Sequence, residues 1–524
     1  MANREELLVI RAARSGQAAA QLALGKRYLF GGAGLPKSEA TALYWLDRAA
    51  HQDQVEAWLL IGGHIPFEAA SRLPQPEMLC VWYERAFDSG VLHAGLVLAK
   101  LVLAQRESTT SEPLRRKAWM ALEAVAHAGM GEAQWLMAQL IGQTHNGEVR
   151  GRVANVPATH AFLSPILKLP SSGRAAQAVL EWTTRAAAGG VTSAQRALAE
   201  SAWKAGEHQS FLQWALPLAR AAVRRHASRA APEPSAEGSG DEVVLMARCA
   251  SALLARGDFD TAELERFLEI AAQGGDIPSC LTLGLWYARM DAQGVRVANV
   301  RGLANYKKAL RWLTQAGEQG VAEAWYATSR IYLKPEFSQR NLSDAHHYAR
   351  RAADAGHAAA QLELGMAAWR ARRNDPHKDI EAAYWVGKAA AQEHPEAMRT
   401  LQKIIGPAVA SKWAADALQR LSRDQAAAHP LLALRLELAI EFGLSRAEAL
   451  LLNFSEADCS HCLLIDIRDV HPRSKRRLAL IHTNEQRYAL SRALRAFEGV
   501  DCSVHGAEGN YRQRLYRLRM VSEG

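Results

Sequence analysis

Apolar residues recur along most of the chain at the three- and four-residue spacing of an amphipathic helix. The segment ALYWLDRAAHQD (42–53) shows this spacing, and related segments return as VLEWTTRAAAGG (179–190), ALRWLTQAGEQG (309–320) and AAYWVGKAAAQE (382–393). In each segment a tryptophan precedes a pair of small residues by one helical turn. The pattern predicts one recurring helix that packs closely against its neighbours through the small residues.

A second helical segment precedes the first. It appears as AAAQLALGKRY (18–28), as AAAQLELGMAA (358–368) and, more loosely, as IPSCLTLGLWY (277–287). Aligned on its opening residue, this segment recurs about every 37 residues along much of the chain. The opening residues are Ala20, Ala57, Ala94, Ala133, Ala194, Ser279, Ala324, Ala360 and Ala397. Because one helical hairpin cannot bury both of its apolar faces, the repeat predicts a stack of hairpins.

Two long insertions interrupt the repeat, at about 141–174 and 226–260. The second contains APEPSAEGSGDE (231–242), which has the composition of a linker. We therefore expect an N-terminal repeat arm over 1–225, an irregular insertion or linker over 226–260, and a second repeat arm over 261–410. The predicted fold class is mostly all-α, an α/α solenoid of helical hairpins with a small α+β module at the C-terminus.

The repeated unit resembles the Sel1-like repeat, a relative of the tetratricopeptide repeat. The resemblance is closest at 13–62 and 309–400, where an A-x-x-x-L-G segment, a turn and a W-x-x-x-A-A segment follow one another. It extends more loosely over about 13–400. The resemblance implies a helical solenoid that acts as an adaptor, with a protein partner bound on its surface.

The pattern changes after about residue 430. Two helical segments within 432–454 are followed by β-rich runs at 463–467 and 477–481, and then by a helix at 484–497. The two β-rich runs flank a basic turn, which is typical of a β-hairpin. This order predicts a separate basic α+β module over 430–524.

Part of this module, about 432–520, resembles the first half of the catalytic domain of tyrosine recombinases, the phage integrases. Gly443, Leu444 and Glu448 match a G-L-R-x-x-E motif of that family, and SKRRLALI (474–481) is similar to the second strand of its hairpin. Ser445 stands where the family has a catalytic arginine, and no H-x-x-R motif follows. The resemblance implies a truncated and catalytically inactive fragment.

Positive charge is concentrated in the same region. The chain has 63 basic and 54 acidic residues, a formal charge of +9, and the segment 465–524 contributes an excess of five basic residues. Its basic turn carries Arg473, Lys475, Arg476 and Arg477, which we predict as nucleic-acid contacts of modest strength. The alternative is that these side chains form an ordinary solvated surface.

One column of the repeat carries candidate partner-binding residues. The residue after the opening position is a glutamine in four units: Gln21, Gln134, Gln195 and Gln361. Trp58 and Trp325 occupy the column in two other units. If the column is accessible, as its glutamines suggest, these tryptophans are predicted to line a partner groove, because aromatic side chains dominate interface energetics. The alternative is that both rings cover the adjacent repeat.

Candidate chemistry is sparse. Cys459, Cys462, Cys502 and His505 could supply four zinc ligands if the fold brought the two pairs together. We nevertheless predict no metal site and no cofactor. The sequence shows no nucleophile set or acid–base pair with recognisable spacing, so we expect a protein that is not an enzyme.

The six cysteines are too few for a disulfide scaffold, and no uncharged apolar run approaches the ~18 residues that cross a bilayer. We therefore expect a cytoplasmic protein with reduced thiols and no membrane partner. The predicted function is a non-catalytic scaffold or adaptor for protein–protein interaction. The alternative is a DNA-associated protein whose C-terminal module contacts nucleic acid while the solenoid recruits a partner.

Overall fold

The computed structural model describes residues 4–31, 35–105, 110–145, 172–228, 239–297, 303–405 and 411–523. The chain divides into two compact units, Met1–Phe267 and Leu268–Gly524. Helices dominate both units, which confirms the predicted mostly all-α fold class.

Thirteen α-helices of the described residues and a 3-10 helix (Pro76–Leu79) lie in the first unit, and the division between the units falls inside a further helix, α14 (Thr261–Gln273). Apart from the short α5, each α-helix from α1 to α12 packs against the next one, so contacts run between chain neighbours as a stack of hairpins requires. The thirteen are α1 (Arg4–Arg14), α2 (Ala18–Phe30), α3 (Glu39–Ala50), α4 (Val55–His64), α5 (Phe67–Ala70), α6 (Cys80–Asp88), α7 (Leu92–Ala104), α8 (Glu112–His127), α9 (Gly131–His145), α10 (Ser172–Ala188), α11 (Thr192–Lys204), α12 (His208–Ser228) and α13 (Ser239–Arg256).

The second unit begins with a similar stack and ends in the α+β module. The stack comprises α15 (Ile277–Ala288), α16 (Tyr306–Glu318), α17 (Ala322–Leu333), α18 (Leu342–Asp354), α19 (Ala358–Ala371), α20 (Lys378–Ala391) and α21 (Pro395–Ile405). The module comprises α22 (Lys412–Arg420), α23 (Arg423–Ala428), α24 (Pro430–Phe442), α25 (Arg446–Leu451), β1 (Cys462–Ile465), β2 (Arg477–Leu480), α26 (Asn484–Ala496) and α27 (Tyr511–Glu523).

The expected linker at 226–260 is wrong over most of its length. Residues 239–256 form the helix α13, which packs on α12 and buries Met246, Cys249 and Leu253. Its apolar residues recur at helical spacing, and the neighbouring Pro- and Ser-rich composition masked that signal. Residues 229–238 of the expected linker, and 146–171 of the first insertion, lie outside the described residues.

The glutamine column joins consecutive hairpins. The amide nitrogens of Gln21, Gln134 and Gln361 donate to the carbonyl oxygens of residues eight positions earlier, over 3.2, 3.0 and 3.0 Å. Gln195 makes the same bond over 3.0 Å. Each acceptor lies at the end of the preceding helix, where a carbonyl has no partner within its own helix. The expectation that this column is accessible is therefore wrong, since three of the four glutamines are at most 7% exposed.

The glycine of the A-x-x-x-L-G segment lets the two helices of a hairpin touch. A Cβ atom on Gly25, Gly284 or Gly365 would lie 2.7, 2.7 or 2.5 Å from a side-chain carbon of the following helix. At Gly365 the same atom would also lie 3.0 Å from the backbone nitrogen of Val386, which cannot rotate away. The repeat therefore needs glycine at this position because the backbones approach closely.

This close approach predicts opposite effects for two glycines in the same hairpin. Gly365→Ala should lower the free energy of unfolding by about 1–3 kcal/mol, because overpacking outweighs the gain in helix propensity. Gly387→Ala, on α20, should raise it by about 0.5–1 kcal/mol, because nothing lies within 4 Å of the added atom. Urea denaturation of both variants measures the two changes, and equal effects of either sign would contradict the packing described.

The C-terminal module follows its predicted element order. The two helices within 432–454 meet at Gly443, which has the left-handed φ of 57°, and the two strands pair antiparallel with Cys462 opposite Leu480. The module's core starts earlier than residue 430, because Ala414 and Ala417 on α22 belong to it.

The structure gives the residues of the recombinase-like motif local roles. Gly443 ends α24, Leu444 is fully buried, and Ser445 caps α25 in a reciprocal pair of hydrogen bonds with Glu448. Each residue of the motif is therefore accounted for by helix termination, burial in the core or capping.

Candidate functional site

Trp58 is half-buried within the first unit. Its ring stacks on Trp82, with the ring centroids 6.1 Å apart and the planes 7° apart, and the Arg85 guanidinium lies 5.2 Å from both rings. The Trp82 indole in turn donates to Asp47 over 2.8 Å. Most of the Trp58 ring thus packs against neighbouring repeat residues, in agreement with the alternative that the ring is a packing residue of the repeat.

Trp325 has the same arrangement but is only 3% exposed. It stacks on Tyr348 at 5.7 Å, and the Arg351 guanidinium lies 3.6 Å from its ring centroid. Gly317 provides the space, because a Cβ atom there would lie 2.5 Å from the indole. Trp325 therefore offers no surface to a partner, and its prediction as an accessible anchor is wrong.

Two of the four predicted nucleic-acid contacts are structural. Arg476 binds both carboxylate oxygens of Asp379 on α20, over 2.8 and 3.0 Å. Arg477 binds both carboxylate oxygens of Glu448, over 2.7 and 2.9 Å, and the Gly443 carbonyl over 2.8 Å. Their guanidinium groups are already neutralised by carboxylates, so the expectation of free cations is wrong for this pair.

Arg473 and Lys475 precede the two engaged arginines in the chain and are exposed. The basic turn thus presents two accessible cations rather than four. Two cations make a small electrostatic footprint for nucleic acid, since affinity scales with the number of phosphates neutralised.

The Arg477–Glu448 pair predicts a pH-dependent contribution to stability. Burial raises the pKa of Glu448, but the Arg477 guanidinium and the Ser445 amide outweigh it, so the net pKa lies below 4.5. Glu448→Gln should lower the free energy of unfolding by about 1.5–3 kcal/mol at pH 7. Because the folded-state pKa is depressed, this difference should persist above pH 4.5 and vanish as the pH falls through the folded-state pKa.

Denaturation of the wild type and Glu448→Gln at a series of pH values measures this dependence. A stability difference that stays constant from pH 7 to well below 4.5 would contradict the assigned ion pair.

The four residues considered as zinc ligands do not come together. Cys502 lies 3.8 Å from an Arg435 nitrogen in the core of the module, whereas Cys459 and Cys462 pack against α20 and its neighbours. No group of three or more His, Cys, Asp or Glu side chains that could hold a metal ion occurs among the described residues. The zinc alternative therefore lacks its geometric requirement.

A groove of about 980 Å³ lies within the first unit, between α5, α7, α9 and the turn before α11. Leu96, Leu103 and Leu136 are buried along it, and the side chains of Phe67 and Trp135 are half-buried. Its volume lies at the upper end of the range of ligand sites in proteins, about 300–1,000 Å³. The groove can accept an apolar side chain or a short stretch of polypeptide.

Polar groups occur beside the apolar lining. Lys100 and Glu132 form an ion pair of 3.1 Å between α7 and α9, and Gln139 lies one helical turn beyond Trp135. Burial lowers the pKa of His93, so its imidazole is neutral at pH 7 and can both donate and accept a hydrogen bond. These groups can pair with the backbone of a bound peptide, whose amides and carbonyls need partners.

The sequence contained a signal for this groove that the glutamine column obscured. Trp135 stands one position after that column, where three other units place Leu22, Leu96 and Leu362. A tryptophan in a leucine column marks a place where a larger ring is accommodated. This signal can be interpreted only after the structure shows that the glutamine column faces the neighbouring hairpin. Periodicity alone does not show which face of a helix is covered.

Comparison with known families identifies the repeat. The Sel1 repeat matches four segments: 18–54, 299–321, 321–357 and 358–394. Three of them coincide with the hairpins α2 and α3, α17 and α18, and α19 and α20. The chain therefore contains Sel1 repeats. All matched residues precede the C-terminal module, so none of them supports the recombinase resemblance.

Two solved structures are similar to the chain. A protective antigen of uropathogenic Escherichia coli, described as displaying an SLR fold, is 20% identical, with a TM-score of 0.34, over 98% of this chain and 93% of that one. A Sel1 repeat protein from Oxalobacter formigenes is 19% identical, with a TM-score of 0.29, over 69% of this chain and 90% of that one. No curated protein matches the chain significantly.

The described helices include none that is both long and apolar enough to cross a membrane.

Proposed function

We propose that this Sel1-repeat chain is a non-catalytic scaffold that binds a segment of a partner protein in the groove of its first unit. The observation that carries the proposal is the half-buried ring of Trp135 beside the buried leucines of α7 and α9. A tryptophan of this kind is a common anchor of protein interfaces. Sel1 repeats generally mediate protein–protein interactions, which agrees with this assignment.

The chemistry of the groove indicates the class of ligand. Much of its lining is apolar, and its polar groups are a neutral histidine, an amide, a pre-formed ion pair and one further carboxylate, Glu68. A peptide with apolar anchors fits this surface better than a strongly acidic segment, because an acidic segment would lose hydration without gaining a counter-charge. The cytoplasmic location expected from the sequence belongs to the same proposal.

Trp58 remains a predicted second contact. Its ring is half-buried against Arg85 and Trp82, so a partner could contact only the part that these side chains leave accessible. The nucleic-acid alternative has less support, because only Arg473 and Lys475 of its four predicted contacts are accessible.

The proposal is tested by selecting ligands from a displayed random-peptide library against the full chain. A photoreactive amino acid in place of Gln139, within the groove, should crosslink to the selected peptides. The same amino acid in place of Met120, an exposed residue of α8 outside the groove, should not. Crosslinking from Met120 but not from Gln139 would place the binding surface elsewhere and overturn the proposal.

A further inference from the structure

Two cysteines of the C-terminal module flank a tight turn. The backbone nitrogen of Cys459 donates to the carbonyl of Cys462 over 3.0 Å, and Asp458 pairs with Leu463 as an antiparallel bridge. Residues 459 and 462 therefore face each other across a narrow hairpin. Cross-strand pairs of this kind have Cα atoms about 5.5 Å apart, which is also the most frequent separation in disulfides.

The turn has an uncommon backbone conformation and is held from outside. Ser460 has a φ of 66°, and His461 donates to the carbonyl of Cys459 over 2.8 Å, closing a three-residue turn. Arg487 on α26 binds both carboxylate oxygens of Asp458, over 3.0 and 2.9 Å, and also donates to the Ser460 carbonyl. Residues with positive φ other than glycine occur mainly where the surrounding structure imposes them, and often at functional sites.

The two thiols are not equivalent. Cys462 is fully buried, whereas Cys459 is partly exposed. The Cys462 sulfur lies 3.6 Å from Nε2 of His461, and the interaction between the two thiols lowers the pKa of Cys459 and raises that of Cys462. Nearby charges of both signs face the pair, with Asp458 and Asp379 opposing Arg476. Cys459 is thus the thiol that ionises first and that a reagent can reach.

We propose that Cys459 and Cys462 form a redox-active dithiol that undergoes exchange with a low-molecular-weight disulfide such as oxidised glutathione. The Cys459 thiolate attacks one sulfur of that disulfide, forms a mixed disulfide and releases one thiolate. Cys462 then loses its proton and attacks the Cys459 sulfur, which forms the Cys459–Cys462 disulfide and releases the second thiol. The protein dithiol is oxidised by two electrons, and the small disulfide is reduced to two thiols.

The dithiol lies at a packing contact of the module, so its oxidation would have a structural consequence. Cys462 begins β1, and it packs with Leu464, Leu478 and residues of α20 in one apolar cluster. The ring of His461, between the two cysteines, lies 3.0 Å from the Ile380 carbonyl through Nε2. The pair therefore lies where the module contacts the last repeats of the second unit, and its oxidation state can alter that contact.

The test incubates the folded full chain with oxidised glutathione, blocks the remaining thiols by alkylation and digests with trypsin. Both cysteines fall in one peptide, 447–468, because no lysine or arginine interrupts it. We expect this peptide to lose both alkylation sites, to become lighter by two hydrogens, and to retain no glutathione. Peptides containing the buried Cys80, Cys249 and Cys280 should stay alkylated.

Variants separate the two steps. Cys462→Ser should accumulate a stable mixed disulfide on Cys459, and Cys459→Ser should leave Cys462 reduced. Cys502→Ser, in the same module, is the matched control and should oxidise like the wild type. Two alkylated thiols in the treated wild type, or glutathione retained there as in Cys462→Ser, would overturn the proposal.

Discussion

Glu508→Gln is expected to lower the free energy of unfolding of the second unit by about 3–5 kcal/mol. Glu508 is 6% exposed and lies between two buried arginines, Arg435 at 1% and Arg514 at 3% exposure. Arg435 donates to both of its carboxylate oxygens, over 2.9 and 2.5 Å, and an Arg514 nitrogen lies 3.5 Å away. The substitution keeps the size of the side chain but removes the only carboxylate bonded to Arg435 among the described residues.

The cost arises because the two guanidinium groups cannot regain their hydration. The remaining donors of Arg435 bind backbone carbonyls of Ala449 and Leu452, over 2.9 and 3.0 Å, which bear no net charge. Chemical denaturation followed by circular dichroism measures the loss. Glu498→Gln, at an exposed position of the same module, is the control and should change stability by less than about 0.5 kcal/mol. Equal stability of the two variants would contradict the buried network.

Trp135→Ala is expected to weaken binding of a groove ligand by about 2 kcal/mol, roughly thirtyfold in Kd. The indole is larger than the other half-buried apolar ring of the groove, that of Phe67, and truncation removes its apolar surface from beside the buried leucines. Titration of a selected peptide with the purified variants measures the effect. Trp135→Phe should recover part of the affinity, because a ring is retained.

The control distinguishes a lost contact from a lost fold. One side of Trp135 packs against the cluster of Ala186, Ala187, Ala194 and Leu198, so its removal also costs some stability. The unfolding transition of each variant must therefore begin well above the titration temperature. Met120→Ala, at an exposed position outside the groove, should leave the affinity unchanged. Equal losses for Met120→Ala and Trp135→Ala would contradict binding in the groove.

Repeat phase and hairpin order were predictable because the apolar spacing and the A-x-x-x-L-G segment are local properties of the sequence. The roles of single residues were less predictable, because they depend on contacts between distant parts of the chain. Arg476 was predicted as a free cation because its partner, Asp379, lies 97 positions earlier in the chain. Trp325 was predicted as accessible because other units place polar glutamines in the same column. The amides of those glutamines in fact donate hydrogen bonds to carbonyls at a helix end.

The groove could not be predicted from local sequence for the same reason. Its lining comes from separate helices, and each of its residues has an ordinary role within its own hairpin. Only the packing of α7 against α8 and of α8 against α9 brings Leu96 and Trp135 to one surface. The spacing of the repeat fixes which residues face a neighbouring helix, but the depth of the surface between hairpins depends on loop lengths and on the short α5.

Hydrogen exchange of the full chain, with and without a saturating selected peptide, tests the central claim most directly. We expect the ligand to slow exchange in α7, in α9 and in the turn at residues 189–193, because these segments line the groove. Exchange in α15 to α21 should stay unchanged. Protection confined to the second unit, with none in α7 or α9, would contradict the assignment of the groove as the partner-binding surface.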